Sequence, residues 1–171
     1  MGIFKISVTN LHWIDGTLDN PDDFCLHGDP VAIIGEFKLE YKDATVSATA
    51  LYLLKTITEN HYPGKDNQML PCCGFSMIPD TDLQNVTIIG CPNGVDWKIE
   101  HSNKNVVITL DNGHVEMIDI EDYKKEVFAF ADLIEGFFNR CKPKRIDTLN
   151  QADKDGYIAF WNEWHRRRNG K

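Results

Sequence analysis

The chain has 171 residues, a formal net charge of −8 at pH 7, and 42% hydrophobic and 26% charged residues. This is the balance of a single globular domain, here taken as 1–171, that can bury a core without disulfides or metal. No window approaches the roughly 20 consecutive apolar residues of a membrane span. Met1-Gly2-Ile3-Phe4-Lys5 also lacks the basic stretch, apolar run and cleavage site of a secretory leader, so a cytoplasmic location is expected.

Ile3 to Thr9 alternates apolar and polar side chains and predicts a first strand. Residues 10–30 read as a loop rich in Asp, Gly, Asn and Pro, long enough within a compact domain to suggest function. Val31 to Tyr41 predicts a second strand, with Gly35 as a bulge or a close backbone approach. Val46, Ala50, Leu53, Leu54, Ile57 and His61 recur at helical spacing. They predict a helix over about 45–61 with one buried stripe, capped by Asp43 or Thr45 and ended by Pro63-Gly64.

Five short β runs follow: Cys73 to Ile78, Val86 to Gly90, Val95 to His101, Val106 to Leu110, and His114 to Ile120. Pro92-Asn93-Gly94 and Asp111-Asn112-Gly113 are hairpin turn signals, so this region reads as an antiparallel meander. Glu121-Asp122 opens a second helix, with acidic residues where the helix dipole favours them. Its stripe is Val127, Phe130, Ala131, Ile134 and Phe138, and Lys142-Pro143 ends it. A third helix is expected over about 153–168, with Tyr157, Phe160, Trp161 and Trp164 on one face. Arg166 to Arg168 complement its C-terminal dipole. The expected fold is α+β, an antiparallel sheet of about six or seven strands packed against three helices.

Charge is segregated along the chain. From Ile6 to Phe37 there is no Lys or Arg, while Asp15, Asp19, Asp22, Asp23, Asp29 and Glu36 give that window a charge of −6. Residues 139–171 carry +5, and the first 138 carry −13. Such a body repels nucleic acid and attracts basic surfaces. The six acidic residues are therefore the expected partner-binding set.

The motifs that bear chemistry fall short of catalytic patterns. Asp15-Gly16-Thr17-Leu18 matches part of the haloacid-dehalogenase phosphatase motif, but Trp13 stands where the aspartate nucleophile belongs. Cys25, Cys72, Cys73, Cys91 and Cys141 are an odd set without framework spacing, which reads as reduced thiols. Adjacent residues on a strand point to opposite faces, so Cys72 and Cys73 are not expected to share a zinc ion, and no metal or other cofactor is expected. Cys91, between Gly90 and Pro92, is the best-placed thiol for cysteine chemistry, with His61, His101 or His114 as its possible base. Gly90-Cys91-Pro92-Asn93-Gly94 lacks the Lys-Ser/Thr ending of a phosphate loop and reads as a turn. The aromatics of the third helix share one stripe and read as core rather than as a stacking platform for bases.

Four segments carry a resemblance: Val46-Ser47-Ala48-Thr49-Ala50-Leu51, Leu70-Pro71-Cys72-Cys73-Gly74, Ile89 to Trp97, and Gly156 to Trp164. Together they resemble blocks of small bacterial proteins similar in size and style to the immunity proteins of polymorphic-toxin and contact-dependent-inhibition systems. The resemblance implies a non-enzymatic protein that binds a cognate toxin, expected to be basic, and neutralises it by covering its active site, without nucleic acid or membrane partners. Two alternatives come from other classes. One is a small hydrolase using a Cys/His or His/carboxylate site, and the other is an interaction module with a different partner.

Overall fold

A computed structural model describes residues 2–74 and 76–170. The α+β class expected from the sequence is present: three α-helices pack with antiparallel strands around one hydrophobic core. The strands are divided among several sheets.

The first sheet holds β1 (Phe4–His12), β2 (His27–Ile34), β3 (Phe37–Glu40) and β4 (Ala44–Thr45), with β2 paired to the other three. Phe4 faces Ile34 and Ile6 faces Ala32 across the β1–β2 ladder. All four side chains are buried, as the alternating pattern requires of a sheet with one covered face. The single strand expected over 31–41 is a hairpin instead. Gly35, at φ +60°, sits in a tight turn that lets Phe37 fold back opposite Ile34. The loop is correspondingly shorter than 10–30 and runs over 13–26.

The first helix, α1 (Val46–Lys55), departs most from expectation. Val46 to Leu54 are all buried, so it is a core helix covered on every side, with the Ser47 and Thr49 hydroxyls hydrogen-bonded to backbone, rather than a helix with one stripe. It touches β2, the short strand Leu70–Pro71 and the two later helices. It stops at Lys55, where the Thr56 hydroxyl donates to the Leu53 carbonyl (2.8 Å) and lies 2.7 Å from the Tyr123 hydroxyl. Thr45 is the N-cap residue but makes no side-chain cap bond. Asp43 instead faces His12 and His27, 3.2 Å from each. His61, expected on the helix, forms a backbone bridge with Ile99.

β5 (Leu70–Pro71) pairs with β8 (Gly94–Val95), and β6 (Ser76–Pro79) with β7 (Val86–Ile89). Pro92-Asn93-Gly94 is therefore not a hairpin turn, because the chain leaving β7 crosses to β5. Phe75, within the run expected over 73–78, lies outside the described residues. The five runs expected to form one meander divide: β9 (Lys98–Ser102), β10 (Asn105–Thr109) and β11 (Val115–Asp119) form a three-stranded meander, while β6 and β7 pair apart from it. Asp111-Asn112-Gly113 turns between the last two of these strands.

The second helix, α2 (Ile120–Arg140), buries the predicted stripe of Val127, Phe130, Ala131, Ile134 and Phe138, and Asp119 caps it by accepting from the Glu121 amide. The third, α3 (Gln151–Arg168), starts two residues earlier than expected because Asn150 caps the Asp153 amide. Phe160 and Trp164 are fully buried, and Tyr157 and Trp161 pack against the core from its margin. α3 crosses β6 at Gly156, whose missing side chain leaves room for the Met77 carbonyl. Among the described residues no helix is long and apolar enough to cross a membrane.

Candidate functional site

The acidic and basic segments that stand far apart in sequence meet in space. Loop 13–26 lies along the connection between α2 and α3, and the two run side by side. The Cys141 thiol donates to the Leu18 carbonyl (3.3 Å) and the Lys142 amide to Asp19 Oδ1 (3.1 Å). Lys144 Nζ donates to the Asn20 carbonyl (2.6 Å), and the Arg145 amide to the Pro21 carbonyl (3.0 Å). The Arg145 guanidinium grips both carboxylate oxygens of Asp22, the fork-on-carboxylate geometry that makes arginine pairs specific.

Trp13 anchors this clasp. Its ring is fully buried against Phe137 and Phe138, and Lys144 Nζ sits 3.0 Å from its centroid. Burial pulls the Lys144 ammonium down to about 8, against the opposing attraction of Asp23 and other nearby anionic groups. The position that lacks a phosphatase nucleophile is thus a packing residue under a cation.

The six acidic residues singled out from the sequence do not form one surface. Asp15 accepts from the Thr17 amide and hydroxyl and from Asn20, which hold its carboxyl below the usual range. Asp23 accepts from the Ile14 amide (2.6 Å) and the Cys25 amide (2.9 Å). Asp19 and Asp22 belong to the clasp, and the Arg145 hydrogen bonds hold Asp22 below its ordinary value. Asp29 lies on β2, where the Asp43 amide and Asn10 depress its carboxyl. Glu36 stands exposed in the β2–β3 turn, at the far end of β2 from the loop.

Two of the six come together with a residue that sequence reasoning missed. Asp22, Asp23 and Asp153 line a groove of about 360 Å³ with Phe24, Met77 and Tyr157. Phe24 and Tyr157 meet edge to face, ring centroids 4.9 Å apart, and burial pushes the Tyr157 phenol up to about 12. Asp153 reaches this groove because α3 begins there. Its place 130 residues after Asp23 gave no sign of the meeting.

A second cleft, of about 380 Å³, lies between α1, the 59–67 segment and β7. His61 is on its wall, with Nε2 2.7 Å from Asp96 Oδ1 and Nδ1 3.8 Å from Asp66. Asp96 Oδ1 also accepts from the amides of Met69 and Trp97. Both ring nitrogens of His61 therefore face carboxylates, and the group ties β9 to the 61–69 segment.

The cysteines correct two expectations. Cys72 and Cys91 are joined in a disulfide, while Cys25, Cys73 and Cys141 are free. Cys91 is therefore not a free nucleophile in this state. The Cys72 and Cys73 sulfurs do lie together, because β5 ends at Pro71 and the chain bends out of the strand alternation that would have separated them.

No known protein family, no curated protein and no solved structure matches the chain.

Proposed function

We propose that this chain is an immunity-type protein of the bacterial cytoplasm that binds a cognate protein toxin and neutralises it by occluding the active site. The groove at Asp22, Asp23 and Asp153 carries this reading. Its carboxylates suit the head of an arginine or lysine from a basic partner, and Phe24, Met77 and Tyr157 suit the alkyl stem, which buries against apolar surface while the charge stays polar. Asp22 remains half exposed beside Arg145, so it has room for a second cation. The clasp adds support, because a loop already held by its own hydrogen bonds loses less entropy on binding than a free one. Stoichiometric occlusion needs surface complementarity and no catalytic group.

The test is binding of a purified basic toxin, encoded beside this chain, to the wild type and to Asp153→Asn, Asp22→Asn and Tyr157→Ala. Rim charges mainly change association rate and salt dependence, while close desolvated pairs can couple by about 1.5–7 kcal/mol. Weaker binding is expected for all three, and less salt-sensitive binding for the two Asp→Asn changes, measured where circular dichroism shows each variant folded, since Asp22 and Tyr157 also hold the clasp and the core margin. Equal affinity for all three variants would move the interface elsewhere.

A further inference from the structure

The three sulfurs of Cys72, Cys73 and Cys91 lie within 4.8 Å of one another, on half-buried residues at one edge of the β5–β8 ladder. We infer that, once the Cys72–Cys91 disulfide is reduced, these sulfurs form a three-thiolate site for a soft d10 cation of the zinc or copper(I) class. A tetrahedral zinc ion with bonds of about 2.3 Å holds its sulfurs roughly 3.8 Å apart. The observed cluster is already close to that span. The Cα atoms of Cys72 and Cys91 stand 6.8 Å apart, which leaves the two sulfurs room to separate around an ion.

The scaffold does not depend on the disulfide. Leu70 pairs with Val95 and Pro71 with Gly94, and the Cys72 amide donates to the Asn93 carbonyl at 3.0 Å. These bonds keep the two loops together when the sulfurs part. The third sulfur is also prepared: the Cys91 amide donates to Cys73 Sγ at 2.9 Å. Such outer hydrogen bonds orient metal ligands and tune their basicity. Pro92 and Asn93 beside the cluster are exposed, so a fourth coordination position opens to solvent.

Reduction takes two electrons and two protons from a small thiol reductant, which leaves as its own disulfide. Binding of the ion then releases the thiol protons to water. The oxidised pair and the metal site therefore exclude each other.

The experiment compares the full-length protein in disulfide and reduced forms, with cadmium and zinc as probes. The reduced wild type is expected to take up one cadmium per chain, with a thiolate-to-metal absorption band, and the disulfide form to show neither. Losing even an outer-shell partner weakens metal sites by about 10–100-fold, so Cys73→Ser should weaken zinc by at least that factor in chelator competition. Cys73→Ser keeps the Cys72–Cys91 pair, so its oxidised form reports on folding, and Cys141→Ser serves as a control cysteine outside the cluster. No stoichiometric uptake by reduced, folded protein would overturn the inference. So would uptake that is indifferent to Cys73→Ser, or equal uptake by the disulfide form.

Discussion

Glu163 is the most consequential single charge in the core, and removing it should cost more than any exposed ion pair. Its side chain is 1% exposed, yet it accepts from the Val86 amide (2.8 Å) and from Arg167 Nε (2.7 Å) and stands 3.4 Å from Lys55 Nζ. Arg167 and Lys55 are themselves largely covered, at 10% and 25% exposure. Glu163→Gln keeps the shape and an oxygen for the Val86 amide but leaves two poorly hydrated cations facing a neutral group. Breaking a buried pair in this way costs about 3–5 kcal/mol. The retained amide acceptor and the second Arg167 partner, Glu59, place the expected loss near the lower end, at about 3 kcal/mol. At roughly 2–4 °C per kcal/mol for a domain of this size, the midpoint should fall by about 6–12 °C in calorimetry. Arg167→Gln added to Glu163→Gln should cost less than the sum of the two single changes, because each single change leaves the other charge unpaired. A loss below about 1 kcal/mol for Glu163→Gln, the range of an exposed pair, would refute this account.

Trp164→Ala should lose about 3–5 kcal/mol, because the ring is fully buried and its indole N–H donates to Glu135 at 3.1 Å. Trp161→Ala should lose less, since that ring is only partly covered. Denaturant titration of both variants checks the order. Gly156→Ala should cost about 1–3 kcal/mol, because a methyl there meets the Met77 carbonyl and pushes α3 from β6. A stabilised Gly156→Ala variant would show that the crossing is looser than described. Asp15, Asp22 and Asp29 are all depressed from an ordinary value of 3.8, so the unfolded chain takes up protons first as the pH falls. Their contribution is present above 3.8 and is lost as the pH drops through their lower folded values. Carboxyl titration by NMR should find all three midpoints below 3.8, and a midpoint above that value for Asp22 would remove Arg145 as its partner.

The sequence by itself determined α2, α3 and the last three strands as elements, but not that β6 and β7 pair apart from the three-stranded meander. Each has a long periodic stripe or an Asn-Gly turn, so the local preference and the face to be buried agree with the final packing. Gly35 was legible as a special backbone position but not as a turn, because a bulge and a tight hairpin demand the same freedom from one residue. α1 was misread as amphipathic because stripe-counting sees spacing, whereas Ser47, Ala48 and Thr49 are small enough to be buried on the faces between the larger residues. The tertiary structure alone decided the meaning of the charges. The acidic loop read as a partner-binding signal and residues 139–171 only as a basic segment, and about 120 residues separate Asp19 and Asp22 from Lys142 and Arg145. Packing Trp13 against Phe138 brings them together, so that Arg145 spends its charge on Asp22 and Lys142 on Asp19. The same folding carries Asp153 to Asp23 and Cys91 to Cys73. Such meetings follow from the burial of distant apolar side chains, and no local pattern around the polar residues records them.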